Sequence, residues 1–379
     1  ATFQMPQRGV NKDVHWDKTY KTNVGIDIRT LNSRLGITLD AYYDMGRELF
    51  TTFTGTSFYP TTVGTQATPE NFGEIDTYGV ELTLNWKDKI GKDFSYWVKM
   101  STGYSDNKIK EAGFQATPFF DDVVRGERSD RGVWGYECLG MFRSYQEIEE
   151  YFAVNNITSY LGNSKDNVHP GMLIYSDQRG QRNADGSYGE KDGVIDRNDY
   201  VKISNRVNNP WGFTLNFGGA YKNFSFSAQL GANWGAYGLV QTNLRQESYD
   251  DMEYKNLSAM WKDMYVYEDV LDANGNVVAA MNRNAKYPNL RYKEVNSQAS
   301  TFWKVSAANI RLRNLTVAYN LPKEWLTPIG ISSCRLNLTC QNLFSFYNPY
   351  ENGVWDTWAG TYGNYPNLRK FTLGVNVSF

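Results

Sequence analysis

Residues 79–100 read GVELTLNWKDKIGKDFSYWVKM, and the fold turns on how this stretch alternates. Val80, Leu82, Leu84 and Trp86 fall on one side of an extended chain, with Glu81, Thr83 and Asn85 on the other. After the short link KDKIGKD the pattern resumes with Phe94, Tyr96, Val98 and Met100. Two period-2 segments joined so briefly are expected to be antiparallel neighbours.

The same signature recurs along the chain. NVGIDI carries Val24, Ile26 and Ile28 on one face, and RLGITLDAYY carries Leu35, Ile37, Leu39 and Ala41. WGFTLNF, NFSFSAQL, IRLRNLTVAY, CRLNLTC and the closing FTLGVNVSF repeat it, for about nine strands in all. In IRLRNLTVAY the phase slips between Leu312 and Leu315, which predicts a bulge. The connections alternate in length. LNS, KDKIGKD, YKN and LPKEWLTPIGISS are short, and between them lie connections of about 20, 100, 65 and 20 residues. A soluble β-sandwich also alternates, but nothing requires it to collect every long loop at one end. A membrane barrel does collect them, with short periplasmic turns and long loops outside.

Composition agrees. Among 379 residues are 27 Tyr, 20 Phe and 11 Trp, the residues of strands and of aromatic membrane girdles. No run of about 18 apolar residues offers a spanning helix, whereas a barrel strand needs only about 10 alternating ones. Asp27, Asp40, Glu81, Arg311, Arg313 and Arg335 oppose apolar residues within strands, as a wet or plugged lumen permits. The net charge of -2, with no like-charge block, gives no footprint for nucleic acid. Cys334 and Cys340, six residues apart on one strand, would be about 20 Å apart and cannot bridge, so the three cysteines read as small apolar fillers. His15 and His169 are the two histidines, and no nucleophile–base pair or His-rich metal site can be argued.

Nine strands would make an open arc with two edges, part of a larger barrel. The start ATFQMPQRGV has no charged residue followed by an apolar stretch, so it is expected to belong to a mature or partial chain rather than to a signal peptide. The closing strand ends on the bare aromatic Phe379, which is expected to serve barrel closure and assembly.

The long connections, 109–207 and 239–302, carry the candidate sites. SYQEIEEYF predicts a short helix, with Ser144 and Glu147 as a capping box and Ile148, Tyr151 and Phe152 as its apolar stripe. YDDMEYKNLSAMWKDMY predicts a second helical stretch. Between them, YSDQRGQRNADGSYGEKDGVIDRNDY gathers oxygen-bearing side chains around glycine turns. Asp177, Asp192, Asp196 and Asp199 are the candidate ligands for calcium or another hard ion, although the spacing is not that of an EF-hand. A solvated turn held by Asx hydrogen bonds is the alternative. The last loop, YNPYENGVWDTWAGTYGNYPN, offers Tyr350, Trp355, Trp358 and Tyr362 for stacking on a sugar, a peptide side chain or a partner protein.

Taken in order, these segments resemble the C-terminal barrel of SusC/RagA-type TonB-dependent transporters. VHWDKTYKTNVGIDI with RLGITLDAYYDMGRELF, NFGEIDTYGVELTLNW, GYECLGMFRSYQEIEEY, HPGML-IYSD…DGVIDRNDY, NIRLRNLTVAYNLP, LNLTCQNLFSF and YPNLRKFTLGVNVSF carry the resemblance over nearly all of the chain. This chain departs from the family in having Met172 after Pro170-Gly171 and in a lengthened Asp-Gly segment. The resemblance implies an all-β fold: residues 1–379 would be an antiparallel transmembrane β-barrel segment from a plugged barrel of about 22 strands. Plug and N-terminal domains would lie outside this chain. It further implies import of a glycan or peptide across a Gram-negative outer membrane, with extracellular loops, a SusD-like lipoprotein partner and TonB acting through the plug. A passive porin or a β-rich surface adhesin is the alternative, and catalysis is not expected.

Overall fold

The computed structural model describes residues 11–51, 68–114, 117–247, 258–350, 354, 365 and 367–379. Its frame is one nine-stranded antiparallel sheet. The strands are β1 (Lys18–Thr30), β2 (Leu35–Thr51), β3 (Glu70–Ile90), β4 (Phe94–Glu111), β5 (Trp211–Tyr221), β6 (Phe224–Trp234), β7 (Asn309–Asn320), β8 (Ser333–Tyr347) and β9 (Lys370–Ser378). Each pairs with its neighbour in sequence, so the sheet is a plain meander with β1 and β9 at its edges. The links 31–34, 91–93, 222–223 and 321–332 therefore lie at one rim. The long connections 52–69, 112–210, 235–308 and 348–369 lie at the other.

Cross-strand partners share a face of the sheet, and the register shows that the alternation is coherent from strand to strand. One row runs Ile28, Ile37, Leu84, Met100, Leu215, Leu230, Leu312 and Phe344 across β1 to β8. The next row towards the short-turn rim runs Arg29, Gly36, Asn85, Lys99, Asn216, Gln229, Asn314, Gln341 and Lys370 across all nine. One face is therefore greasy and the other polar. The greasy face is open: Ile26 is 57 % exposed, Val24 68 % and Leu373 77 %. The other sheets among the described residues have two strands each, so no second sheet covers this face. The sandwich alternative is set aside on that ground.

The expected bulge is present. Gln229 pairs with Asn314 and Leu230 with Leu312, so Arg313 is skipped and Leu312 and Leu315 return to one face. On the polar face Tyr42 lies across Gly79. A Cβ at Gly79 would stand 2.5 Å from the Tyr104 carbonyl oxygen and 2.5 Å from the Tyr42 hydroxyl, so only glycine fits. All three cysteines are free, with Cys334 and Cys340 buried on β8.

The hydrophobic core is in the long loops rather than in the sheet. Phe142, Tyr160, Leu173, Tyr175 and Ile195 from 112–210 pack with Leu244, Tyr265, Leu290 and Trp303 from 235–308. Sequence periodicity placed one element of this unit well. Helix α1 (Tyr145–Val154) starts at Ser144, whose hydroxyl accepts the Glu147 N–H at 3.2 Å, and buries Ile148 and Phe152 in the shared core. Glu147 reaches one residue beyond the expected box, accepting from the Arg143 N–H at 2.6 Å. Of the second expected helical stretch, only the C-terminal part lies among the described residues. Ala259–Asp263 is a 3-10 turn, and 248–257 lie outside the described residues.

Candidate functional site

Along the greasy face aromatic side chains mark two levels. Towards the long-loop rim stand Tyr43 against Tyr78 (6.3 Å between centroids), Tyr104 against Trp211 (4.8 Å) and Trp211 parallel to Trp234 (6.3 Å, 4°). Towards the short-turn rim Trp86 donates its indole N–H to the Tyr96 hydroxyl at 3.1 Å, and Phe224 packs on Tyr319 at 4.5 Å. The two levels are separated by about eight to ten residues along a strand, or about 26–33 Å. A tilt of about 40° reduces that to about 20–25 Å, close to the height of a barrel's apolar band of about 25 Å. Charge begins just beyond the upper aromatics. Asp76 accepts from Arg47 (2.7 Å) and the Tyr43 hydroxyl (2.6 Å), with Lys110 at 3.4 Å. Asp106 accepts from Arg206 (2.5 Å) and the Tyr104 hydroxyl (3.2 Å). The aromatic girdles expected from composition are thus bounded by polar groups at the rim.

The two long loops are laced together through backbone groups. Asn296, 2 % exposed, accepts the Leu173 N–H at 2.8 Å and donates to the carbonyls of Gly171 (3.0 Å) and Asn289 (2.8 Å). Tyr175 donates to the Val295 carbonyl (2.8 Å) and Tyr265 to that of Arg143 (2.6 Å). Tyr136 donates its N–H to the Ala299 carbonyl (2.8 Å) and accepts the Thr301 N–H on its own carbonyl (2.9 Å). A polar side chain this buried is held by satisfied hydrogen bonds. No local sequence signal marked Asn296, because two of its three partners, Leu173 and Gly171, lie over a hundred residues away.

The four aspartates expected to bind an ion have separate duties. Asp199 is fully buried; its carboxylate accepts the N–H groups of Gln178 (2.7 Å), Arg179 (3.1 Å) and Asp196 (2.9 Å). Burial raises its pKa from the ordinary value, against the pull of those N–H groups. Asp196 caps the short turn Arg197–Asp199 by accepting the Asn198 N–H at 2.7 Å. Asp177 and Asp192 line one polar cavity of about 420 Å³ with Ser176, Asn155 and Lys191. Asp177 Oδ2 accepts the Gly193 N–H at 2.9 Å, while its buried Oδ1 has no hydrogen-bond partner. Among the described residues no three His, Cys, Asp or Glu side chains form a metal-holding group. Backbone N–H groups engage the carboxylates of Asp199 and Asp196, while Asp177 and Asp192 share the cavity.

Of the expected aromatic contact residues, Tyr350 packs against the loop core, and burial pushes its hydroxyl up to about 12. Trp355, Trp358 and Tyr362 lie outside the described residues. Phe379 follows β9 and is 90 % exposed.

A tilted meander with a lipid-facing apolar band, a polar inner face and one crowded rim is the wall of an outer-membrane β-barrel. Comparison with known proteins carries this further. No family model matches the chain. It is 23 % identical over 389 residues to TonB-dependent receptor P3 of Formosa agariphila, covering 97 % of this chain and 35 % of that one. It is 24 % identical over 390 residues to TonB-dependent receptor SusC of Bacteroides thetaiotaomicron, covering 98 % and 33 %. Among solved structures it superposes on the RagAB peptide transporter with a TM-score of 0.67 at 18 % identity, over 98 % of this chain and 36 % of that one. The chain spans about a third of the length of these relatives. Over nearly its whole length the chain is similar to the TonB-dependent receptors of the SusC type, and its fold is that of part of the RagAB transporter.

Proposed function

We propose that this chain forms part of the wall, and the main extracellular loop unit, of a barrel that imports a nutrient across the outer membrane. The cargo is a glycan or peptide, a SusD-like lipoprotein covers the long-loop rim, and TonB supplies the force through parts of the protein beyond this chain. The observation that carries the reading is the joint one of greasy face, polar face and a single crowded rim; the RagAB superposition adds to it. In the whole barrel the edges β1 and β9 pair with further strands, since an open edge in lipid leaves backbone groups unsatisfied. The test is nutrient uptake in cells carrying the full receptor, with and without TonB. Uptake that stops without TonB, together with co-purification of a lipoprotein, supports the reading. Uptake that persists makes the barrel a passive porin, and adhesion without any uptake makes it a surface adhesin.

For a hard cation the expectation narrows to Asp177 and Asp192, since Asp177 Oδ1 still lacks a partner. Thermal unfolding of the receptor with calcium and with EDTA tests this, and an identical melting temperature in both rejects it.

A further inference from the structure

The loop unit carries a second cavity, of about 840 Å³, that plays no part in the reading above. Three tyrosines from distant segments line it: Tyr145 at the start of α1, Tyr267, and Tyr292. Their rings are fixed from behind. Arg283 lies over Tyr267 at 4.3 Å and donates to its carbonyl at 2.9 Å. His169 stacks on Tyr292 at 5.2 Å, and Tyr145 meets Tyr267 edge-on at 5.5 Å. Buried Val266 and Leu290 add apolar surface to the lining.

The hydroxyls of these tyrosines distinguish them from those of the core. Tyr151, Tyr160, Tyr175 and Tyr265 each donate to a backbone carbonyl. Tyr145, Tyr267 and Tyr292 make no such bond among the described residues, so each presents a ring edge and a donor to the cavity. The lining is also charged in both senses. Glu268 stands on one chain segment and Arg291 and Lys293 on another, and none of them is in an ion pair among the described residues.

We propose that this cleft binds an oligopeptide segment bearing charges of both signs. Tyrosine faces and Val266 accept its apolar side chains, Glu268 takes an amino or guanidinium group, and Arg291 and Lys293 take a carboxylate. A neutral oligosaccharide could stack on the rings and hydrogen-bond to these side chains, but it would leave their charges without counter-charges, which is why a peptide bearing both signs is favoured. Concave sites of this volume with rigid rings and a few convergent polar groups are the usual form of ligand pockets. The site stands on the loop unit alone, so it would remain were the barrel a passive pore.

The test uses the full receptor in detergent micelles and fluorescein-labelled peptides from a tryptic digest of casein, followed by anisotropy. Maltodextrin serves as the neutral-glycan competitor. Saturable peptide binding is expected, weakened about tenfold by Glu268→Gln and again by Arg291→Gln, as for loss of a charged hydrogen bond. Tyr267→Ala should abolish it. Both charge variants lie at the surface, and heat-modifiable migration on a gel checks that they fold. The proposal is overturned by three results: no saturable binding, binding that survives all three substitutions and so lies elsewhere, or displacement of the peptide by maltodextrin.

Discussion

Replacing Asn296 with alanine should loosen both long loops while leaving the sheet intact. The side chain serves three buried backbone groups: the Leu173 N–H at 2.8 Å, the Gly171 carbonyl at 3.0 Å and the Asn289 carbonyl at 2.8 Å. Leu173 is fully buried, so its N–H has no water to turn to. An orphaned buried donor costs about 1–3 kcal/mol, and each abandoned carbonyl about 1 kcal/mol. The sum, about 3–5 kcal/mol, raises the population of the opened loop unit roughly a hundredfold to several thousandfold. Limited proteolysis of the receptor in detergent reads that population when reclosing outpaces cleavage. Cleavage sites mapped by mass spectrometry should accelerate together in 112–210 and 235–308, because Asn296 belongs to one loop and two of its partners belong to the other. Heat-modifiable migration of the barrel should be unchanged. Acceleration confined to 235–308, or cleavage within about threefold of the unaltered protein, would show that the two loops do not share one cooperative core.

Three further outcomes are expected. Leu215→Arg, in the greasy row, should destabilise the barrel in lipid by about 2–4 kcal/mol, while Asn216→Arg on the polar face should cost little; urea unfolding in vesicles compares them, and equal penalties would refute the assignment of faces. Burial pushes the Cys138 thiol up to about 11, so at pH 7 about one molecule in ten thousand is thiolate. Iodoacetamide should leave it unlabelled at neutral pH and react about tenfold faster with each pH unit, whereas labelling at the rate of an ordinary free thiol would contradict the burial. At Asp130, burial works to raise the carboxyl, but the N–H groups of Asn208, Val207 and Gly132 outweigh it and hold the carboxyl below its ordinary value. Its stabilisation is therefore present above the unfolded value of about 3.9 and is lost as pH falls through the folded value. Proteolytic opening near residues 130 and 207 should rise at that acid limit, and in Asp130→Ala it should already be raised at neutral pH.

The wall was legible in the sequence because its rule is local. Period-2 alternation needs only the next residue, and Leu82, Leu84 and Trp86 state their face without knowing their neighbours. The slip at Arg313 was visible for the same reason. The loop unit was legible only where it too was local, at Ser144 and the stripe of α1. Tyr145, Tyr267 and Tyr292 share a cleft although more than a hundred residues separate the first from the others, and no spacing rule spans that distance. The aspartates were ambiguous in sequence because Asx-type bonding to backbone N–H and cation ligation call for the same residues around the same glycines. Which of the two a carboxylate does depends on where the backbone places its N–H groups.

The shared core of the two long loops also sets an order of events during biogenesis. Phe142, Tyr160 and Tyr175 find part of their packing only in residues beyond 240, yet they emerge from the secretory channel first. For the time needed to export roughly another hundred residues, that half-core is an adhesive surface in the periplasm. That surface is covered within the chain only once Trp303 has followed and the two halves of the core can meet.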